Sequence, residues 1–492
     1  MSTPAPLAAE PGTAPAPAGW RQRLTGWLRG GGWVAVAAYL IAQAGLLFWW
    51  AANFPGLFSP DSLDYIWQST TGNWNNHHSI PYTALVWLSL QLTGGVGALT
   101  LGQTIAMALG VAYLLTGLRR LGAPAAALLP AAAVLVALPP VGTFFACVWK
   151  DVGFVIAVTF LVGTLVRLVA ADRKRRGGHL VWLLGGEALL AAVFRQNGFV
   201  MVAIVAAVGA AVLAGARLRI AIAGLAAIVV ALGLNLAVLP AMGVKNGFAG
   251  VSLEAFVGDI AVAYRHDPGS FTAQDRAALE TTAPLSLWAS SGTCASTDTT
   301  VYDPAYDRDA SIANQDALMG VWFRVARRTP GEVVATRWCR GALAWSVTPR
   351  YGLSRNPNPW SAKTYVARDP RMAQTPFRGA VTSKPLNDTV YRLAQRGVRA
   401  TNGRGVEWIA WRGATLAYLT YAVVAFAAWR RRDPTLLLVA VPTAAVQLSV
   451  LLVNNVQAAR YMAAPYVVGV LLLPLLFVRP APSAPVEEGQ DG

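Results

Sequence analysis

Asp61, Asp64, Tyr65 and Gln68 recur at i, i+3, i+4 and i+7 in the stretch SPDSLDYIWQ that begins at Ser59. That spacing predicts one helix face carrying two carboxylates, a phenol and an amide. A carboxylate so placed can take a proton from a hydroxyl nucleophile, or hold a divalent cation such as magnesium or manganese through oxygen. Ser59 as N-cap, Pro60 at the first position and Asp61 in the first turn also make a good helix start, and that role alone would account for Asp61. His77 and His78 follow in the same polar stretch. On a helix, adjacent residues point about 100° apart, so these two are a poor chelating pair by themselves. They are either a solvated loop pair, or one of them touches a phosphate or a metal held by Asp61 or Asp64.

Three more polar groups interrupt otherwise apolar sequence: Cys147-Val148-Trp149-Lys150-Asp151, Phe194-Arg195-Gln196-Asn197-Gly198, and Asn454 to Tyr461. Lys150 and Asp151 read either as an interfacial ion pair, with the lysine reaching toward water, or as part of a site. Arg195 and Arg460 keep their charge and offer a planar fork matched to phosphate oxygens. Each could pair instead with Asp61, Asp64 or Asp151. Asn197 and Tyr461 complete the set as neighbours of these cations.

The elements that must position these residues follow from composition. The chain has 492 residues, 55% hydrophobic and 13% charged, against roughly a quarter charged in a soluble protein. The apolar residues fall into runs long enough to cross about 30 Å of hydrocarbon as helices. Ten spans are expected near 31–52, 98–118, 123–140, 152–171, 180–195, 198–216, 219–240, 409–429, 434–453 and 462–478. The short apolar segment 82–93 reads as interfacial or re-entrant. The fold class is mainly α, a polytopic helical membrane protein with about ten transmembrane helices. Glu187 inside the fifth span reads either as the mid-membrane ionisable group a transporter would carry or as an interhelical hydrogen bond.

The net charge of +16 does not indicate nucleic-acid binding. Arginine outnumbers lysine, as in proteins of GC-rich genomes, and many arginines sit in short loops between spans, where positive charge orients helices. The clusters are Arg21, Arg23 and Arg29; Arg119 and Arg120; Arg173 to Arg176; Arg217 and Arg219; Arg430 to Arg432; and Arg479. With the N-terminus inside, every cluster lands on the cytoplasmic side of a cell membrane, and both termini are cytoplasmic. The Pro- and Ala-rich residues 1–30 read as a disordered tail without the pattern of a cleaved signal peptide. Residues 31–240 form a first membrane part, with an outer loop at 53–81. Residues 241–408 form an extracytoplasmic domain, α+β or mainly helical, inserted before the last three spans. Residues 409–478 form a second membrane part and 479–492 a disordered tail. Cys294 and Cys339 share the outer domain, where an oxidising compartment permits a bridge, the alternative being two free thiols. All four polar groups then lie on the outer face, and buried charges near a membrane usually face a polar cavity or a partner.

SPDSLDY with HHSIPYT, W-K-D before a span, R-Q-N-G in a short turn and A-R-Y-M-A-A-P at the last span together resemble the GT-C superfamily of integral-membrane glycosyltransferases, in particular a poorly characterised bacterial branch. The resemblance covers about 31–240 and 409–478 and not the outer domain. It implies transfer of a sugar from a polyprenyl-phosphate lipid to a hydroxyl of a cell-envelope acceptor, a glycan, lipid or protein. It implies Asp61 as general base or metal ligand with Asp64 as the second choice, and Lys150, Arg195, Arg460 and Tyr461 at the lipid phosphate. Gln196 stands where the branch carries histidine, and HHSIP replaces the commoner histidine-proline pair, which puts a ligand role at those positions in doubt. Two rival readings are a transporter or lipid flippase whose outer-face charges form a gate, and a non-catalytic scaffold that binds partners through its outer domain.

Overall fold

The computed structural model describes residues 32–171, 178–245, 253–348, 350–359 and 361–480. The expected N-terminal tail, residues 481–492 of the expected C-terminal tail, the Arg21, Arg23 and Arg29 cluster, and Arg173 to Arg176 lie outside the described residues. The chain opens with α1 (Trp33–Ala52), α2 (Pro60–Thr71), α3 (Ile80–Thr93), α4 (Gly97–Arg120), α5 (Ala125–Ala137) and α6 (Pro139–Phe145). Next come α7 (Lys150–Ala170), α8 (His179–Phe194), α9 (Gly198–Val212) and α10 (Arg217–Gly233). The long polar segment holds α11 (Leu253–His266), α12 (Gln315–Arg328), α13 (Pro330–Arg340) and α14 (Asp388–Thr401), and the chain closes with α15 (Gly413–Arg431), α16 (Val441–Val453) and α17 (Ala463–Leu472). Among the described residues β structure is confined to isolated bridges.

Among the described residues, six helical segments are long and apolar enough to cross a membrane, and two bent pairs raise that to eight. One pair is α5 with α6, bent by 70°. Leu138, which separates them, is extended, as a residue before proline prefers, and Pro139 starts a new helix instead of continuing the old one. The expected count of ten requires α8 and α9 to cross as well, and these have 16 and 15 residues. Many apolar side chains on these helices face outward, Leu40, Leu109, Leu190 and Leu225 among them, as on helices that pack against lipid on one side and protein on the other.

The bundle has two distinct ends. Gln103 of α4 donates to the carbonyls of Phe145 and Cys147 at one end. At the other end of the same helix, Gly117 lies against Arg167, and Arg431 donates to the carbonyls of Leu121 and Arg479. Basic residues from four separate stretches therefore gather at one end, and the polar groups singled out above gather at the other.

Residues 241–408 follow two courses. Helices α11 to α13 and their connections share a core of their own, including Val257, Ile260, Trp288, Leu318, Val321 and Val325. Asp259, wholly buried, ties α11 to α13 through Arg337 and Arg340 at 2.7 and 3.0 Å. Residues 361–381 instead return to the first membrane part, where Ala362, Met372 and Val381 pack with Leu63, Ile66 and Val86 of α2 and α3. Helix α14 packs through Ala394 against Trp49 and Ala52 of α1.

Candidate active site

Asp61 and Asp151 lie 90 residues apart in sequence and meet because the segments leading into their helices are stitched together. Leu57 N–H donates to the Ala146 carbonyl at 2.8 Å, and Val148 N–H to the Leu57 carbonyl at 3.0 Å. Ser62 accepts from the Ser59 N–H and donates to the Val148 carbonyl. Ser59 Oγ accepts from the Trp149 indole at 2.7 Å, so the predicted N-cap serine joins two helix starts. Both α2 and α7 begin here, each with an aspartate as its second residue, where the helix dipole favours negative charge.

Arg195 enters from the C-terminal end of α8. The turn Arg195 to Gly198 is tight: a Cβ on Gly198 would sit 2.5 Å from the Ala191 carbonyl oxygen, so only glycine fits there. Ser79 donates to the Val193 carbonyl at 2.7 Å and Gln196 donates to the Asn76 carbonyl, which ties this turn to the loop after α2. Arg460 lies between α16 and α17, in a loop held on both sides. Thr297 N–H donates to the Asn455 carbonyl, Ser354 N–H to the Gln457 carbonyl, and Ala459 N–H to the Ser354 carbonyl. Asn454 and Gln457 donate to the Arg340 carbonyl, each at 2.7 Å. Cys294 and Cys339 are bridged, with Cα atoms 5.7 Å apart, and Gln457 also reaches the Cys339 carbonyl. The bridge thus joins the two segments that grip this loop.

These elements enclose a polar pocket of about 120 Å³, several times the space one water needs. Asp61, His77, His78, Lys150, Asp151, Arg195, Asn197, Arg460 and Tyr461 all line it. Arg460 Nη1 lies 2.6 Å from Asp61 Oδ2, and its guanidinium stands 4.9 Å from the centre of the Trp149 ring. Arg195 Nε is 3.8 Å from Asp151 Oδ1, and the group lies 5.2 Å from the centres of both the Phe154 and Tyr461 rings. Burial lifts the pKa of Asp61, but Arg460, with Lys150 adding to it, outweighs burial and holds the carboxyl well below the ordinary carboxylate range. Burial, with His77 and Lys150 nearby, keeps His78 well below the ordinary imidazole value, so it is neutral at pH 7. His77 and His78 sit in a turn with ring centres 4.3 Å apart.

Two candidates lie elsewhere. Asp64 accepts from Arg371 at 2.7 Å and from Gln68 at 2.6 Å, and Gln68 is also bonded to Asn75. Neither lines the pocket. The helix face predicted as one unit therefore divides, with Asp61 turned to the pocket, Asp64 bonded to Arg371 of the 361–381 segment, and Gln68 bonded to Asp64 and Asn75. Glu254 and Tyr302 line the pocket and were not foreseen. They come from the α11–α13 unit, and Asn455 donates to Glu254. Their only sequence signal was their place in the segment expected on the same face. Glu187 is hydrogen-bonded to Thr164 of α7, one of the two readings open for it.

The donor set suits an anion better than a divalent cation. Among the described residues no three His, Cys, Asp or Glu side chains converge as metal ligands. Asp61 and Asp151 each face an arginine, while Lys150, Arg195 and Arg460 supply the positive charge.

No family model matches the sequence, and no curated protein matches it. Among solved structures, the apo crystal structure of the Archaeoglobus fulgidus oligosaccharyltransferase is similar over 89% of this chain and 49% of that one, at 13% identity and a TM-score of 0.36. This chain spans about half the length of that protein. A likeness of this degree assigns neither family nor activity.

Proposed function

We propose that the chain is a membrane glycosyltransferase that moves a sugar from a polyprenyl-phosphate lipid to the hydroxyl of a cell-envelope acceptor. The observation that carries this reading is the pocket itself, where Lys150, Arg195 and Arg460 meet Asp61, Asp151 and Glu254 at one end of an apolar helix bundle. The basic residues gathered at the opposite end favour an outward-facing pocket with both termini cytoplasmic.

The two substrates have separate approaches. A second cavity of about 630 Å³, almost wholly apolar, lies between α3, α4, α7 and α8. Phe194 lines it, and the next residue, Arg195, lines the polar pocket. A prenyl chain in this groove places its phosphate beside Lys150, Arg195 and Arg460. Glu254 and Tyr302 close the other side, where the α11–α13 unit meets the acceptor.

The chemistry asks little else of the protein. The acceptor oxygen attacks the anomeric carbon as a pocket carboxylate takes its proton, and the bond from that carbon to the phosphate oxygen breaks. The lipid phosphate leaves as an anion and needs charge stabilisation, not a proton, which the arginines and Lys150 provide. A single displacement inverts the anomeric centre, unlike the double displacement of retaining enzymes. Transfer from a panel of polyprenyl-phosphate sugars tests the reading, and no turnover on any member would defeat it.

One observation favours the rival lipid transporter. Glu187 lines the apolar groove, and its buried Oε2 has no hydrogen-bond partner. Transport of the lipid across vesicles, lost in Glu187→Gln without any sugar transfer by the wild type, would favour that reading.

A further inference from the structure

We propose that Asp151, not Asp61, is the carboxylate that takes the proton of the acceptor hydroxyl. The assignment rests on the transfer reading above and deepens it.

Asp61, Asp151 and Glu254 share the pocket but are not equivalent, and Glu254 is already held by Asn455. Asp61 is engaged, with Oδ2 in a 2.6 Å charge-assisted bond to Arg460. Such a bond is among the stronger hydrogen bonds a protein makes, and protonation of the carboxylate at either oxygen removes the negative charge that strengthens it. Asp151 is only 1% exposed, yet its Oδ2 has no hydrogen-bond partner. Its Oδ1 lies 3.8 Å from Arg195 Nε, near enough for attraction and too far for a hydrogen bond. The neighbouring Tyr65 hydroxyl does not fill the vacant position, because it too is buried without a partner.

A buried acceptor left unsatisfied is costly, and more so when it carries charge. A donor arriving with the substrate removes that cost. The acceptor's O–H is such a donor, and once it is bonded to Asp151 Oδ2 it is aligned for proton transfer. In the step, the O–H bond breaks and Asp151 gains the proton. The freed electron pair forms the new bond to the anomeric carbon, and the departing phosphate oxygen keeps the pair from the broken bond. Asp61 is then a positioning residue that orients Arg460 toward that phosphate.

The test compares purified wild type, Asp151→Asn and Asp61→Asn. Steady-state transfer gives kcat and donor KM, and polyprenyl phosphate lacking a sugar probes lipid binding. Asp151→Asn is expected to lower kcat by about 100-fold or more while lipid binding stays at the wild-type level. Asp61→Asn is expected to change donor KM and lipid binding while kcat stays within about tenfold. A kcat lost in Asp61→Asn with lipid binding intact would overturn the assignment, and this arm reads the question even where Asp151→Asn does not fold. Wild-type kcat in Asp151→Asn would overturn it as well. Absence of any wild-type turnover defeats the transfer reading, a result distinct from either.

Discussion

Asp61 and Asp64 stand one turn apart on α2, and their partners separate them. Asp64 is held by Arg371 and Gln68 outside the pocket, so it acts on stability. Asp64→Asn is expected to lower the unfolding free energy by about 1–3 kcal/mol, because Arg371, which pairs with Asp64 and Asp369, keeps only Asp369. Turnover per folded molecule should stay within about twofold of wild type, as thermal unfolding and single-turnover rates on the same preparation would show. The chemistry-bearing residues were legible because charge in apolar sequence is rare: Asp61, Lys150, Asp151, Arg195 and Arg460 all reach one pocket. The split between Asp61 and Asp64 was not legible. Helix periodicity places both on one face, and only the return of residue 371, 307 positions later, shows which way Asp64 turns.

At the scale of elements, the loop between α16 and α17 owes its shape to neighbours distant in sequence. The Cys294–Cys339 bridge closes a segment of 45 residues and joins both strands of the grip on that loop. Its removal by paired Cys→Ser substitution is expected to cost about 2–4 kcal/mol. The loss should appear as faster hydrogen exchange at residues 454–457 and a higher donor KM, since Arg460 follows directly. The bridge itself stayed open in the sequence, because two cysteines in one domain say nothing of their separation. Asp298 gives this region a pH dependence. Burial, reinforced by the negative charge of Glu254, raises its pKa to about 6. A carboxyl whose folded pKa is raised favours the fold when protonated, so its contribution is present below about pH 4 and lost as pH rises through about 6. The loss is at most about 3 kcal/mol, and Asp298→Asn should flatten the slope of thermal stability between pH 4 and 6. An unchanged slope would remove Asp298 as its cause.

At the scale of the whole molecule, helical character was plain from runs of apolar residues, and the described residues of each predicted run are mainly helical, with breaks at Leu138 and at Trp411–Arg412. Span number was less plain, because α8 and α9 are short and α5 is bent from α6 at Pro139. The course of residues 354–401 was not legible at all. Its contacts to α1, α2 and α3 join residues some 300 positions apart, and no local pattern encodes such a return. The distribution of arginines predicts sidedness that can be checked directly. Single cysteines beside Arg432 and in the loop at Gly72 should label from opposite sides of sealed vesicles, and labelling from one side would contradict the proposed topology.

The most direct measurement is transfer of sugar from purified polyprenyl-phosphate sugars to a hydroxyl acceptor, with product anomers identified and a chelator present in a parallel reaction. Turnover with inversion, unaffected by the chelator, is the predicted result. Lipid movement without any transfer would contradict the glycosyltransferase reading, and turnover abolished by the chelator and restored by a divalent cation would contradict the metal-free chemistry drawn from the pocket.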